Sequence, residues 1–201
     1  MVVLAVGAHP DDIEFGAGGT LARLARREKV KFLIYTAGEV GGDPRKRRQE
    51  AKKAAETIGA EVRILGHRDG HLKADPRTVR ELWEEVEKTK ATTVFCPHFE
   101  DTHQDHAAAG RIAMTCWKKV DSIFFYEGPT VLDFNPNVFS DISRFFEVKR
   151  RALECFDSQM HKPLMDIQQV RGIAQHRAWQ CGKSGALFEA FVLFRSKGGL
   201  L

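Results

Sequence analysis

Two short segments combine histidine and aspartate at spacings that suit metal chemistry: His9-Pro10-Asp11-Asp12 and His103-Gln104-Asp105-His106. In the first, an imidazole is followed three residues later by a carboxylate, and Pro10 stiffens the intervening turn by fixing φ. The neighbouring carboxylates of Asp11 and Asp12 repel each other unless a cation or strong donors lie close. His9 and Asp12 make a good partial set for Zn²⁺ or Fe²⁺, and His106 can complete it. Three protein ligands with a fourth position open describe a catalytic site, whereas structural zinc sites are closed by four. His103 lies one helical turn before His106, on roughly the same side, and can reach a molecule held at the metal. Asp105 is placed to hydrogen-bond an imidazole and fix its tautomer.

Elements that could bring the two segments together are legible around them. Val2–Gly7 is a continuous aliphatic run without polar alternation, as expected of a parallel strand buried on both faces. Lys31–Thr36, Glu61–Leu65, Thr92–Cys96 and Ser122–Tyr126 read the same way. Helical stretches alternate with them at Gly18–Lys29, Pro44–Ile58, Pro76–Lys88 and Asp105–Lys118. This order predicts an α/β fold, Rossmann-like, three-layer αβα, with a mostly parallel central sheet. Both histidine segments then follow strand C-terminal ends and open on one edge, where ligands bind in such sheets. Past Tyr126 the pattern loosens into a loop over 127–141. A helix over Ser143–Phe156 capped by Ser143, a helix over Pro163–Arg177 and a closing strand over Leu187–Phe194 follow. No linker or repeat divides residues 1–201, so a single domain is expected.

The Pro44–Ile58 helix is well marked: Asp43 can cap it, Pro44 suits its first turn and Gly59 can end it. Ala51, Ala54, Ala55 and Ile58 form its apolar stripe, and Arg47 lies on that stripe four residues before Ala51. A basic residue facing inward beside a strand end suggests a role at the site. Gly16-Ala17-Gly18-Gly19 fails the GxGxxG spacing, which excludes a dinucleotide reading based on it.

Composition sets the outer limits. The 201 residues are 43% apolar and 29% charged, a globular profile, with a net charge of +4 that is too small to argue for nucleic acid. Arg45–Arg48 with Lys52 and Lys53 is interleaved with Gln49 and Glu50 and reads as a solvated helix face. The four cysteines lack CxxC spacing and suit reduced thiols in a cytoplasmic protein. No apolar run approaches the ~20 residues of a membrane span, and no signal-peptide pattern is read at residue 1.

With these residues in hand, the sequence resembles the LmbE/PIG-L family of metal-dependent deacetylases. The resemblance rests on Ala8-His9-Pro10-Asp11-Asp12-Ile13-Glu14 and His103-Gln104-Asp105-His106. Thr36-Ala37-Gly38-Glu39, Arg47-Arg48-Gln49-Glu50-Ala51, Phe134-Asn135-Pro136 and Glu189-Ala190-Phe191 add to it. It implies hydrolysis of an N-acetyl (N-acyl) group, usually on a small-molecule glucosamine-type sugar or glycoconjugate. It implies Zn²⁺, or Fe²⁺, on His9, Asp12 and His106, with Asp11 as general base. His103 would stabilise or protonate the tetrahedral intermediate, Asp105 would support a histidine, and Arg47 would contact substrate. Homo-oligomers are common among such proteins. Gln104 stands where proline often precedes the aspartate, and Phe188 where tyrosine is frequent.

Competing readings are an amidase acting on a non-sugar or thiol-conjugate amide, a phosphoesterase, and a non-catalytic metal-binding homologue. The doubled aspartate and complete ligand set favour one-metal amide chemistry over these. His98 and Asp101 are candidates for lining the pocket, and Glu14 for bonding within the first loop or capping the helix. Arg171 and Arg177 either reach a sugar or are solvated. His67, His71, His161 and His176 read as surface or loop residues.

Overall fold

The computed structural model describes residues 1–160 and 166–197. Seven strands form one sheet: β1 (Val2–Gly7), β2 (Lys29–Thr36), β3 (Glu61–His67), β4 (Thr93–Pro97), β5 (Ser122–Tyr126), β6 (Val138–Asp141) and β7 (Phe188–Ser196). Their order is β3-β2-β1-β4-β5-β7-β6. The first five are parallel; β7 runs antiparallel to β5 and to β6. The expected mostly parallel three-layer fold is therefore observed. The four-residue β6 lies inside the stretch expected to be loop, where Gly128, Pro129 and Pro136 mask it.

Helices α1 (Asp12–Leu24), α2 (Pro44–Ile58), α5 (Phe146–Glu154) and α6 (Ile167–Gln180) pack on one face. Helices α3 (Pro76–Thr89) and α4 (Gln104–Met114) pack on the other. The crossover through α3 carries the chain from β3 past β2 and β1 to β4. The direction of winding thus reverses between β1 and β4, which places a crevice at the carboxyl ends of those two strands.

Three helix expectations change. Helix α1 begins at Asp12, six residues before the expected start, and runs through Gly16, Gly18 and Gly19. These glycines permit close packing: a Cβ on Gly16 would lie 2.1 Å from the Tyr126 ring, and one on Gly19 2.8 Å from Ile142. Helix α5 starts at Phe146 without a side-chain cap. Ser143 instead bonds Asp141 and accepts from the Leu187 amide. Helix α6 runs from Ile167 to Gln180, and residues 163–165 of its expected range lie outside the described residues. Helix α2 occupies its expected range, with Asp43 accepting from the Arg45 amide and Gly59 closing it at φ 91°.

A buried ion pair ties β7 into α1. The Glu189 carboxylate accepts from the amides of Gly19 (2.9 Å) and Thr20 (2.7 Å) in the middle of that helix. Lys149 from α5 donates to Glu189 (2.7 Å) and to the Phe15 carbonyl, the usual partner of the Gly19 amide. Replacing Glu189 by alanine would strand a buried ammonium and two backbone donors. A stability loss of about 3–5 kcal/mol is expected in urea denaturation; a loss below about 1 kcal/mol would contradict this role.

Candidate active site

Strand β1 ends at Gly7, and the chain turns through His9 and Pro10 into α1. Asp12 shapes that turn: its Oδ2 accepts from the amides of Ala8 and His9, each at 2.9 Å. Asp11, between them, takes φ 97°, a left-handed conformation that aspartate tolerates better than most residues but still at a cost. Arg47 holds it there. Its Nη1 donates to Asp11 Oδ2 (3.0 Å) and its Nη2 to the Pro10 carbonyl (2.8 Å). The guanidinium is buried, and its Nε has no partner among the described residues. Its seat exists because residue 38 is glycine: Gly38 has φ 67°, and a Cβ there would fall 2.8 Å from Arg47 Nε and Nη2.

On the other side of the crevice, the loop after β4 leads into α4. The His103 side chain caps α4 by accepting from the Asp105 amide at Nδ1 (3.2 Å). Its neutral form therefore carries the proton on Nε2. Burial and the cationic forms of His106 and His9 both lower its pKa. The His103 ring stacks on His106 at 4.5 Å and meets His9 edge-on at 4.8 Å.

His9, Asp12 and His106, far apart in sequence, converge. His9 Nδ1 lies 3.2 Å from His106 Nε2, and His106 Nε2 lies 3.2 Å from Asp12 Oδ1. His9 Nδ1 is 3.7 Å from Asp12 Oδ2. Ligand atoms around a tetrahedral zinc with bonds near 2.0–2.1 Å lie about 3.3 Å apart. His9 Nδ1 and His106 Nε2 thus fit a divalent cation in spacing and in type, and Asp12 approaches each of them through a different oxygen, His106 through Oδ1 and His9 through Oδ2. Taken one ligand atom per residue within 4.8 Å of one another, the groups among the described residues are His9 with His103 and His106, and His9 with Asp69 and Asp105; Asp12 falls in neither. The Nδ1 of His103 is occupied as a helix cap, so His103 suits a hydrogen-bonding role better than ligation.

The outer nitrogens are held by carboxylates. His9 Nε2 contacts Asp69 Oδ1 (3.0 Å) and Asp105 Oδ2 (3.2 Å). His106 Nδ1 contacts Asp101 Oδ2 (3.0 Å). Asp105 thus reaches across to His9 rather than to a histidine of its own segment. It also accepts from the amides of Gly70 (2.7 Å) and Leu72 (3.1 Å), tying the β3–α3 loop to the site. Asp101 is kept in place by the His103 amide (2.8 Å) and the Thr130 hydroxyl (2.6 Å).

The electrostatics follow from this packing. Burial lowers the His9 pKa, but Asp105, Asp12 and Asp69 outweigh it and push it up to about 12. Burial likewise lowers His106, while Asp12 and Asp101 raise it to about 10. Burial would raise Asp12, yet His106 and His9 hold it well below the usual carboxylate range. Asp11 is pushed up to about 6 by burial, with Arg47 opposing. The cluster is short of positive charge, and a divalent cation would supply it.

A cavity of about 430 Å³ opens over these groups. Asp11, Asp12, His9, His103, His106, Arg47 and Asp69 all line it, so six of the seven residues singled out in sequence share one pocket; Asp105 lies behind His9. Asp69 leaves no signal in the sequence except as an aspartate two residues past β3, at the same sheet edge. Asp101, one of the pocket candidates, sits behind His106. His98 is buried among Phe99, Phe125 and Phe134 and does not line the pocket. Arg171 lies over the Phe146 ring, and Arg177 pairs with Glu127. Phe188 lines a separate small cavity with Lys149 and Arg177. The Glu14 carboxyl is wholly buried, caps nothing, and has no partner among the described residues. Of the remaining histidines, His67 pairs with Glu81, His71 is exposed, His176 stacks on Trp179, and His161 lies outside the described residues.

Asp69→Ala and Asp101→Ala, which remove groups orienting His9 and His106, should each weaken zinc binding roughly 10–100-fold in a chelator-competition titration. Unchanged affinity in both would deny them that role. Gly38→Ala should cost about 1 kcal/mol from its positive φ alone, and more through displacement of Arg47. Thermal unfolding of the variant reads this directly.

The chain is similar to known proteins over most of its length. Residues 4–117, more than half of the chain, match the family model described as PIG-L: GlcNAc-PI de-N-acetylase. The chain is 36% identical over 169 residues to the uncharacterized deacetylase YaiS of Escherichia coli, covering 76% of this chain and 88% of that protein. It is 26% identical to a probable N-acetyl-alpha-D-glucosaminyl L-malate deacetylase 2 of Bacillus cereus (82% and 86% covered). It is 24% identical to the 4-oxalmesaconate hydratase of Pseudomonas putida (79% and 74%). The crystal structure of the conserved protein TT1542 from Thermus thermophilus superposes with a TM-score of 0.86 at 29% identity, covering 99% of this chain and 95% of that one. With the family model running from β1 through α4, and so across both histidine–aspartate segments, the chain belongs to the PIG-L (GlcNAc-PI de-N-acetylase) family.

Proposed function

We propose that the protein, acting as a single domain, is a metal-dependent hydrolase. It would remove an N-acetyl group from a small glucosamine-type sugar conjugate. The observation that carries this reading is the convergence of His9, Asp12 and His106 in one pocket, with Asp11 beside them but tied to Arg47 and so turned away from the two histidines. The family description and the Bacillus cereus relative support the sugar amide as substrate. A hydratase is also among the relatives, so family membership alone does not fix the bond broken.

His9, Asp12 and His106 would hold Zn²⁺ or Fe²⁺, which when bound supplies Lewis acidity toward the acyl oxygen and toward water. Asp11 accepts a proton from the attacking water. Its oxygen Oδ2 is occupied by Arg47, which leaves Oδ1 for that task and fixes where it points. His103 presents its Nε2–H to the oxyanion that develops on the acyl oxygen, its Nδ1 being fixed on the helix amide. The proton that leaves water is returned to the departing amine from Asp11 or His103. Asp69, Asp101 and Asp105 hold the two ligating imidazoles in orientation.

The test is an acetate-release assay on N-acetylglucosamine and its glycosides, joined to metal analysis. Asp11→Asn should retain the metal and lose roughly 10²–10⁴-fold in kcat, the usual worth of a positioned base. Near-normal turnover in that variant would overturn the base assignment. No acetate release with metal bound would overturn the deacetylase reading.

A further inference from the structure

The polar side chains of the pocket are mostly committed. His9, Asp12 and His106 form the ligand set, Asp11 and Arg47 hold each other, and the Thr130 hydroxyl donates to Asp101 Oδ1 at 2.6 Å. Gln159 is different. It sits on the turn after α5, is 3% exposed, and lines the same pocket. Its backbone amide donates to the Phe156 carbonyl at 2.7 Å. Its Nε2 donates to Ser158 Oγ (2.9 Å) and to the Gly41 carbonyl (3.3 Å). A carbonyl can only accept, so the Gly41 contact settles which end of the amide is nitrogen.

The support behind it is firm. Glu50, one helical turn after Arg47 on α2, accepts from both the amide (2.9 Å) and the hydroxyl (2.6 Å) of Ser158. Ser158 Oγ therefore donates to Glu50 and accepts from Gln159, and both Gln159 amide hydrogens are engaged. No donor among the described residues is bonded to Gln159 Oε1. A neutral acceptor is thus fixed by two hydrogen bonds from behind and, among the described residues, meets no donor. Preorganised acceptors of this kind select neutral donors and discriminate against a substrate that lacks one.

We propose that Gln159 is a specificity-determining residue whose Oε1 accepts a hydrogen bond from a hydroxyl of the sugar that carries the acetamido group. The proposal rests on the deacetylase reading and adds to it a named contact. It assigns the substrate a hydroxyl donor beside the amide rather than an anionic group, which the carbonyl would repel.

The experiment compares N-acetylglucosamine with N-cyclohexylacetamide, a ring amide without hydroxyls, in the metal-loaded wild-type enzyme and in Gln159→Leu and Gln159→Met. Methionine preserves side-chain length should leucine disturb the turn. Each variant should lose roughly 10–100-fold in kcat/KM on the sugar, mainly through KM, the worth of one buried hydrogen bond. On the cyclohexyl amide the change should stay below about threefold, with metal content unaltered. An equal loss on both substrates would assign Gln159 a merely structural role in the Gly41 loop and overturn the proposal, as would no loss on either. If the wild-type enzyme releases acetate from neither compound while holding metal, the deacetylase reading itself fails and the proposal falls with it.

Discussion

Four buried carboxylates crowd around two imidazoles at the crevice between β1 and β4. Asp12, Asp69, Asp101 and Asp105 are each less than a tenth exposed. Each buried charge costs several kcal/mol unless it is compensated. Here the compensation is partial: backbone amides from Ala8, His9, Gly70, Leu72 and His103 point at them, and the imidazoles are driven toward their charged forms. The arrangement is a cage whose net charge asks for a cation. Much else in the local structure exists to hold it closed, including the left-handed turn at Asp11, the helix cap at His103 and the tether from Asp105 to the β3–α3 loop.

A second set of contacts keeps the catalytic candidate apart from the cage. Asp11 and Asp12 are adjacent in sequence, yet one turns toward the histidines and the other toward Arg47. The positive φ at Asp11 lets successive carboxylates diverge, and the glycine at position 38 leaves the space in which Arg47 can lie. Two identical side chains thereby acquire different electrostatic surroundings, one pulled far below the usual carboxylate range and one raised above it. Different surroundings suit paired titratable groups to different tasks.

Further out, the layers cooperate through single residues. Helix α2 carries Arg47 toward Asp11 and, one turn later, Glu50 toward Ser158 and hence Gln159. Helix α1 begins at a candidate ligand and is clasped in its middle by Glu189 and Lys149, which come from β7 and α5. The C-terminal third of the chain therefore supports the pocket from behind and contributes Gln159 to its lining.

Local signals determined much of this protein. The aliphatic run of β1, the aromatic-rich run of β5, the capped α2 and the two histidine–aspartate segments are written in consecutive residues, because burial on both faces, helix capping and strand-end placement each leave a short-range pattern. The inward bias of Arg47 is readable for the same reason, from helical periodicity. Tertiary structure alone decided the rest. Asp69 enters the cage from a loop about sixty residues away from His9, and no spacing rule links them. His98, beside the motif in sequence, is drawn into an aromatic cluster, and Arg177 into an ion pair with Glu127, because their neighbours in space are not their neighbours in the chain. The glycines after Asp12 suit tight packing at a helix start, but which neighbours they admit, Tyr126 and Ile142, is set by the fold. Chemistry carried by residue type and short spacing is visible in one dimension. Charge balance, packing clearance and the partner of each buried polar atom depend on distances that only the folded chain creates.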